Sequence, residues 1–216
     1  MHQTSQLQPY AHEIPQTKRG HERCIALLDS ATLLFLRYGY DAVSLDDIVN
    51  HAGGSKASIY KYFGNKDGLF KAICDYRRQQ FLRDLNTDLT DLPHDLKSYF
   101  IDTLHNFYNH IKRPENAAFV RMILEQCQRD SKIALYIHEN GPKQIQKSIS
   151  NILNLAHKQN ILMCKNPQFS AQMYFGILRN IEWQVVMGIP LDNTDQQITN
   201  YIEYAVDLFL YAHQKV

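Results

Sequence analysis

The chain has 216 residues, with 23 Lys+Arg against 22 Asp+Glu, a net charge of +1 with its ten histidines neutral, 44% hydrophobic and 21% charged residues. That is the composition of a folded globular protein, long enough for one large domain or two modest ones. It excludes a disordered chain, and an average so close to neutral argues against a protein that coats a polyanion unless a basic patch is hidden in it.

No apolar run approaches the ~18 residues of a membrane span, and the first twenty residues have no apolar core of the kind a signal peptide needs. Cys24, Cys74, Cys127 and Cys164 lie far apart with no CxxC pair, so neither a zinc site nor a disulfide framework is signalled. Cytoplasmic localisation is expected, with no membrane partner, no cofactor and no metal. GxSxG, HExxH and P-loop patterns are absent, and no enzymatic activity is expected.

In chain order, residues 1–17, rich in Gln and carrying Pro9 and Pro15, read as a mobile tail. Ile25, Leu28, Ala31 and Phe35 then share one helical stripe, which Gly39 ends. Ser44 is a good N-cap for a second, short helix with Asp46 and Asp47 in its first turn, stopped by Gly53-Gly54. Ser55 caps a third helix, Lys56 to Phe63, and Asn65 a fourth start that runs on without a break to about Asn86. Beyond it prolines recur at 93, 114, 142, 167 and 190, each where a helix can begin. Ile145, Ile149, Ile152, Leu153 and Ala156 form one later stripe, and Ile198, Tyr201, Ile202, Ala205, Leu208, Phe209 and Ala212 another. No alternating run predicts a strand. The fold expected is all-α, with about nine helices. A three-helix helix-turn-helix domain over 18–65 is joined by a long helix to a helical bundle over 66–216.

A short helix, a glycine turn and a second short helix suit insertion into a DNA major groove. Lys56, Ser58, Tyr60, Lys61, Tyr62 and Lys66 are hydrogen-bond donors on or just beyond the second of these helices, while Ile59 and Phe63 would anchor its buried side. The helix starts at Ser44 and Asn65 could also offer backbone N–H groups to phosphates. Charge agrees: residues 1–80 hold ten Lys+Arg and eight Asp+Glu, and 55–78 alone carry a local +4.

The run LLDSATLLFLRYGYDAVSLDDIVNHAGGSKASIYKYFGNKDGLF resembles the N-terminal domain of TetR-type transcriptional repressors over about 45 residues without a gap. The resemblance implies that Ser55, Lys56 and Ser58 face DNA at the start of the recognition helix. It implies also that Tyr60, Tyr62 and Lys66 grip phosphates, with Ser44 doing so from the preceding helix. Three positions depart from the commonest pattern: Gly54 where a branched apolar residue is usual, Val49 for a small residue, and Ala57 where glycine is frequent. The first is expected to loosen the turn and remove a packing contact. The segment AFVRMILEQCQRDSKIALYIHENGPKQIQKSISNILNLAHKQNIL is similar to the C-terminal domains of AefR-like repressors, which implies a dimer and an inducer cavity.

Polar residues fall among aromatic ones on the same helical faces of the C-terminal part: Gln126 follows Met122 by four, and Arg179 follows Phe175 by four. Such groups either satisfy one another or line a cavity. Phe119, Met122, Gln126, Tyr174, Arg179 and Trp183 are the expected wall of a pocket for a small hydrophobic or amphipathic inducer. Two helices, about 168–188 and 195–213, are apolar on more than one face, as a homodimer interface would need. The function expected is a ligand-responsive repressor, binding a palindromic operator of double-stranded DNA as a homodimer and released by its inducer. Two alternatives stay open: the same architecture without a small-molecule inducer, and an all-helical small-molecule binder or enzyme that does not bind DNA.

Overall fold

Capping residues mark out most of the helix starts. The computed structural model describes residue 13 and residues 15–85 and 91–215. Thr17 accepts a hydrogen bond from the Gly20 amide at 3.1 Å and starts α1, Lys18–Tyr38. Ser44 and Asp47 form a reciprocal capping box at the head of α2, Leu45–Ala52, and Ser55 precedes α3, Lys56–Phe63. Asn65 accepts from the Gly68 amide at 2.8 Å at the start of α4, Lys66–Leu85. Then follow α5 (Leu96–Ile111), α6 (Pro114–Arg129), α7 (Ser131–Asn140), α8 (Pro142–Lys158), α9 (Pro167–Gly176), α10 (Arg179–Met187) and α11 (Asp195–Ala212). Most of the expected mobile tail, residues 1–12 and 14, lies outside the described residues.

The described residues are all-helical, with eleven helices where about nine were expected. One reason is that the helix expected over 168–188 is two. The chain turns at Ile177-Leu178, just beyond Gly176, a residue with poor helix propensity.

The chain divides into two compact units, one formed by residues up to Gln80 together with Met122–Ile133, the other by Phe81–Arg121 and Ala134–Val216. By this division most of α4 and the second half of α6 belong to the first unit, whereas the sequence suggested a boundary at residue 65. In the first unit Leu27, Leu28, Ala31 and Phe35 of α1 are buried, as are Ile48 of α2, Ile59 and Phe63 of α3, and Leu69, Phe70 and Ile73 of α4. This is a small apolar core, and each buried aliphatic or aromatic side chain contributes about 1.5–3 kcal/mol to it. At the end of α6 Arg129 makes exposed ion pairs with Asp41 in the α1–α2 turn and with Glu125 one helical turn back.

The second unit has its own core, in which α5, α8, α9 and α11 contribute Phe100, Leu104, Ile149, Leu153, Tyr174, Ile202 and Phe209. Phe100, Tyr174 and Phe209 form a triangle of rings with centroids 5.0 to 5.7 Å apart, and the Tyr174 hydroxyl donates to the Phe100 carbonyl at 2.6 Å. That bond satisfies a polar atom which would otherwise be costly at full burial.

Candidate nucleic-acid interface

The helix expected to read DNA is α3, and its two sides differ as its sequence predicts. Ile59 and Phe63 are buried, while Lys56, Ala57, Tyr60 and Lys61 are exposed and Ser58 and Tyr62 are half-buried. A helix of eight residues with only two anchors is held by its neighbours, not by its own propensity.

The sequence-predicted DNA contacts fall into two groups. Along α3, Ser55 occupies the N-cap position but its side chain makes no capping bond, so its hydroxyl is left for another partner. Tyr60, 54% exposed, projects from the same helix, and the Lys61 ammonium lies 5.5 Å from the centre of the Tyr62 ring. At a second corner stand Ser44 and Lys66. The Ser44 hydroxyl donates to the Asp47 carboxylate at 2.6 Å and accepts from the Asp47 amide at 3.2 Å. The Lys66 ammonium sits 4.3 Å from the centre of the Tyr40 ring and 3.5 Å from the Asp41 carbonyl. Burial lowers the Lys66 pKa, against the pull of Asp41, Asp67 and Asp47. The Ser44 hydroxyl and amide hydrogen bonds lower the Asp47 pKa.

The local +4 read from the sequence is therefore partly compensated by the fold. Lys56 pairs with Asp46 of α2 at 2.8 Å, and Lys61 pairs with Glu13, ahead of α1, at 3.2 Å. Both lysines have their pKa raised by those carboxylates, so both are cationic near neutrality. Such exposed pairs exchange readily for a stronger anion, because each is worth little in water. The α2 N-terminus is a poorer phosphate site than expected: its Ser44 amide already donates to Asp47 at 2.8 Å, and two carboxylates stand in its first turn.

Sequence reasoning missed Arg23 of α1. Its guanidinium donates to the Ala52 carbonyl at 3.4 Å and lies against Gly54, filling the space where a packing contact was expected to be lost. Nothing in the local pattern signals this approach between residues 31 positions apart in the chain. Glu13 was missed for the same reason.

The six residues expected to line an inducer pocket divide between the two units, four in the second and two in the first. Tyr174 is fully enclosed in the aromatic core of the second unit. In the same unit Trp183 is 55% exposed, and Arg179 is exposed and pairs with Glu182 at 2.9 Å. A four-residue helical repeat does not distinguish a core face from an outer one, and α9 and α10 are separate helices. Phe119 is buried in the second unit. Met122 and Gln126 are buried in the first, where the Gln126 amide nitrogen has no hydrogen-bond partner among the described residues. The second unit also carries an open polar cleft of about 460 Å³, lined by Ser150, Asn151, Asn154, Lys165 and the start of α9, which includes none of the six.

An apolar surface runs over the last three helices. Phe169 and Met173 of α9, Trp183 and Met187 of α10, and Tyr201, Tyr204, Leu208 and Tyr211 of α11 are all exposed by 43% or more. The stripe expected to be continuous on α11 is thus two faces, with Ile198, Ile202, Val206 and Phe209 inward and the tyrosines and Leu208 outward. No helix among the described residues is long and apolar enough to cross a membrane.

Comparison with known proteins agrees with this geometry. Residues 27–73 match the family of bacterial regulatory proteins, tetR family, and residues 100–215 match the AefR-like transcriptional repressor C-terminal domain. The HTH-type transcriptional repressor ComR of Escherichia coli is 46% identical over 50 residues, which is 23% of this chain and 24% of that protein. The HTH-type transcriptional regulator YezE of Bacillus subtilis is 26% identical over 151 residues, 67% of this chain and 75% of its own length. Among solved structures, a TetR-family regulator from Mesorhizobium loti superposes with a TM-score of 0.81 at 19% identity, over 92% of this chain and all of that one. The flavonoid-responsive regulator FrrA gives 0.68 at 26% identity, over 89% and 97%. These relatives and neighbours are transcriptional regulators, not enzymes.

Proposed function

Because the chain belongs to the tetR family of bacterial regulatory proteins and carries an AefR-like C-terminal domain, we propose that it is a ligand-responsive repressor acting on a palindromic operator as a cytoplasmic homodimer. The observation that carries the DNA-binding part is α3, anchored through Ile59 and Phe63 with its lysines, Tyr60 and the Ser55 hydroxyl outward. Ser55, Lys56 and Ser58 read base edges at the head of the helix, and Tyr60, Lys61 and Tyr62 hold phosphates along it. From the second corner Lys66 binds the backbone, and Ser44 does so where a phosphate takes the place of its Asp47 partner. DNA displaces Asp46 and Glu13 from Lys56 and Lys61, exchanging two exposed carboxylate contacts for phosphate contacts and released counterions.

The dimer is supported by the exposed apolar residues of α9, α10 and α11. Their burial against a second copy gives the isologous contact that twofold symmetry requires. Two recognition helices then meet half-sites whose centres are about 34–36 Å apart. Ligand response is supported by the buried Gln126 amide, which lacks an acceptor among the described residues, and by the likeness to a regulator named as flavonoid-responsive. An inducer carrying an acceptor group beside an apolar body fits Gln126 with Met122 on one side of α6. To release DNA it must bind the DNA-incompetent state more tightly than the competent one.

A second reading, the same regulator without an inducer, is favoured by the filled core around Tyr174 and the outward Arg179 and Trp183. Selection of bound duplexes from a random pool tests the whole reading. The expected product is a rough palindrome, and a repeat with hydrophobic acceptor-bearing ligands is expected to lose it. Retention with every ligand favours the second reading, and recovery of no consensus refutes both.

A further inference from the structure

We propose that Arg23 of α1 is a DNA-backbone ligand, delivered to the edge of the recognition helix across Gly54. The inference rests on the DNA-binding reading above and adds a contact from a helix that reading does not use.

Gly54 lies in the turn between α2 and α3, next to the N-cap of the recognition helix, with φ +146°. A Cβ placed there would stand 2.8 Å from the Arg23 guanidinium carbon and 2.9 Å from both of its terminal nitrogens. The guanidinium therefore lies against a bare Cα, and any Cβ at position 54 would make it shift. Its Nη1 donates to the Ala52 carbonyl at 3.4 Å, the last residue of α2. This is a long bond that uses one of the five N–H donors of the group.

What is absent around Arg23 matters as much. Lys56, Lys61 and Arg129 in the same unit are each neutralised by a carboxylate, whereas no carboxylate pairs with Arg23 among the described residues. A half-buried cation without an acid partner, beside three exposed residues (Gly53, Gly54 and Ser55), retains donors for an anion brought from outside. A guanidinium has the fork geometry that matches two phosphate oxygens, and the planar group is already oriented by Ala52 and Gly54, so little freedom is lost on binding. The phosphate bound is that of the strand flanking the bases read by Ser55 and Lys56. One side chain thus ties α1, the α2–α3 turn and the DNA backbone together.

The test is the affinity of the full chain for its selected operator and for an unrelated duplex between 50 and 300 mM KCl. It compares wild type with Arg23→Ala, Arg23→Lys, Gly54→Ala and the double variant Arg23→Ala/Gly54→Ala, with helical content and Tm followed in parallel. Arg23→Ala is expected to weaken both duplexes by a similar factor, about tenfold at the lowest salt, and to reduce the slope of log K against log salt by about one. Arg23→Lys keeps the slope while losing part of the affinity. Gly54→Ala loses the slope contribution by displacing the guanidinium, and the double variant loses it only once. If Arg23→Ala keeps the wild-type slope while wild type binds DNA normally, Arg23 is a structural prop of the turn and the inference is overturned alone. If wild type shows no salt-dependent binding to any duplex, the DNA-binding reading falls and takes this inference with it.

Discussion

Asp75 offers a quantitative check on how the first unit is built. Its carboxyl lies on α4, 4% exposed, with Arg78 one turn on at 3.2 Å. Burial outweighs the neighbouring guanidinium and pushes its pKa up from 3.8 to about 7. The folded state therefore holds the proton to about pH 7, while the unfolded chain releases it near pH 4. Between those values unfolding releases a proton, so Asp75 costs stability as pH rises, at up to about 1.4 kcal/mol per pH unit. The cost is absent below pH 4 and complete above pH 7, reaching roughly 4 kcal/mol if the whole shift acts. Asp75→Asn keeps the shape and removes the titration. Urea unfolding of both proteins from pH 4 to pH 8 isolates the effect, because every other group cancels in the difference. The variant is expected to gain on the wild type steadily from pH 4 to 7 and then to hold a constant advantage. Two stability curves that stay parallel across that range would refute the assignment of a buried, protonated Asp75.

Three further outcomes follow from the interface and the apolar face. Lys66→Ala is expected to weaken all duplexes about equally, whereas Lys56→Ala and Ser58→Ala change which bases are preferred; competition between the operator and single-base variants separates the two effects. Glu13→Gln releases Lys61 from its intramolecular partner and is expected to tighten DNA binding about two- to threefold at low salt, an effect that vanishes at high salt. Leu208→Arg puts a charge into the exposed face of α11 and is expected to convert a dimer to a monomer in light scattering at micromolar concentration, with helical content unchanged.

The helix-turn-helix was legible because its signals are local. Gly39 ends α1, Ser44 and Asp47 make the capping box of α2, and Ile59 and Phe63 recur four apart in α3; each depends only on residues close in sequence. Side-chain pairing was not legible, since the Lys61–Glu13 and Arg129–Asp41 contacts join residues 48 and 88 positions apart and depend on how the helices approach. The guanidinium of Arg23 fills the space beside Gly54 that the sequence leaves unexplained. Which apolar positions face inward was least legible. Tyr174 and Trp183 both read as apolar positions on helices, yet one closes an aromatic core and the other is exposed; nine residues apart, they fall on opposite faces even of a single helix, and the chain also turns at 177–178. On α11 the period-3.6 pattern was read correctly as a helix, but not that its apolar residues divide between an inner face and an exposed one.

The claim that α3 is a DNA-reading helix is tested most directly by fluorescence anisotropy of the purified chain on its selected palindrome and on a scrambled duplex of the same length, across a salt series. The account predicts tighter binding to the palindrome, affinity that falls steeply as salt rises, and loss of the preference in Lys56→Ala/Ser58→Ala with the fold intact. Equal affinity for the two duplexes, or a preference that survives in that double variant, would contradict it.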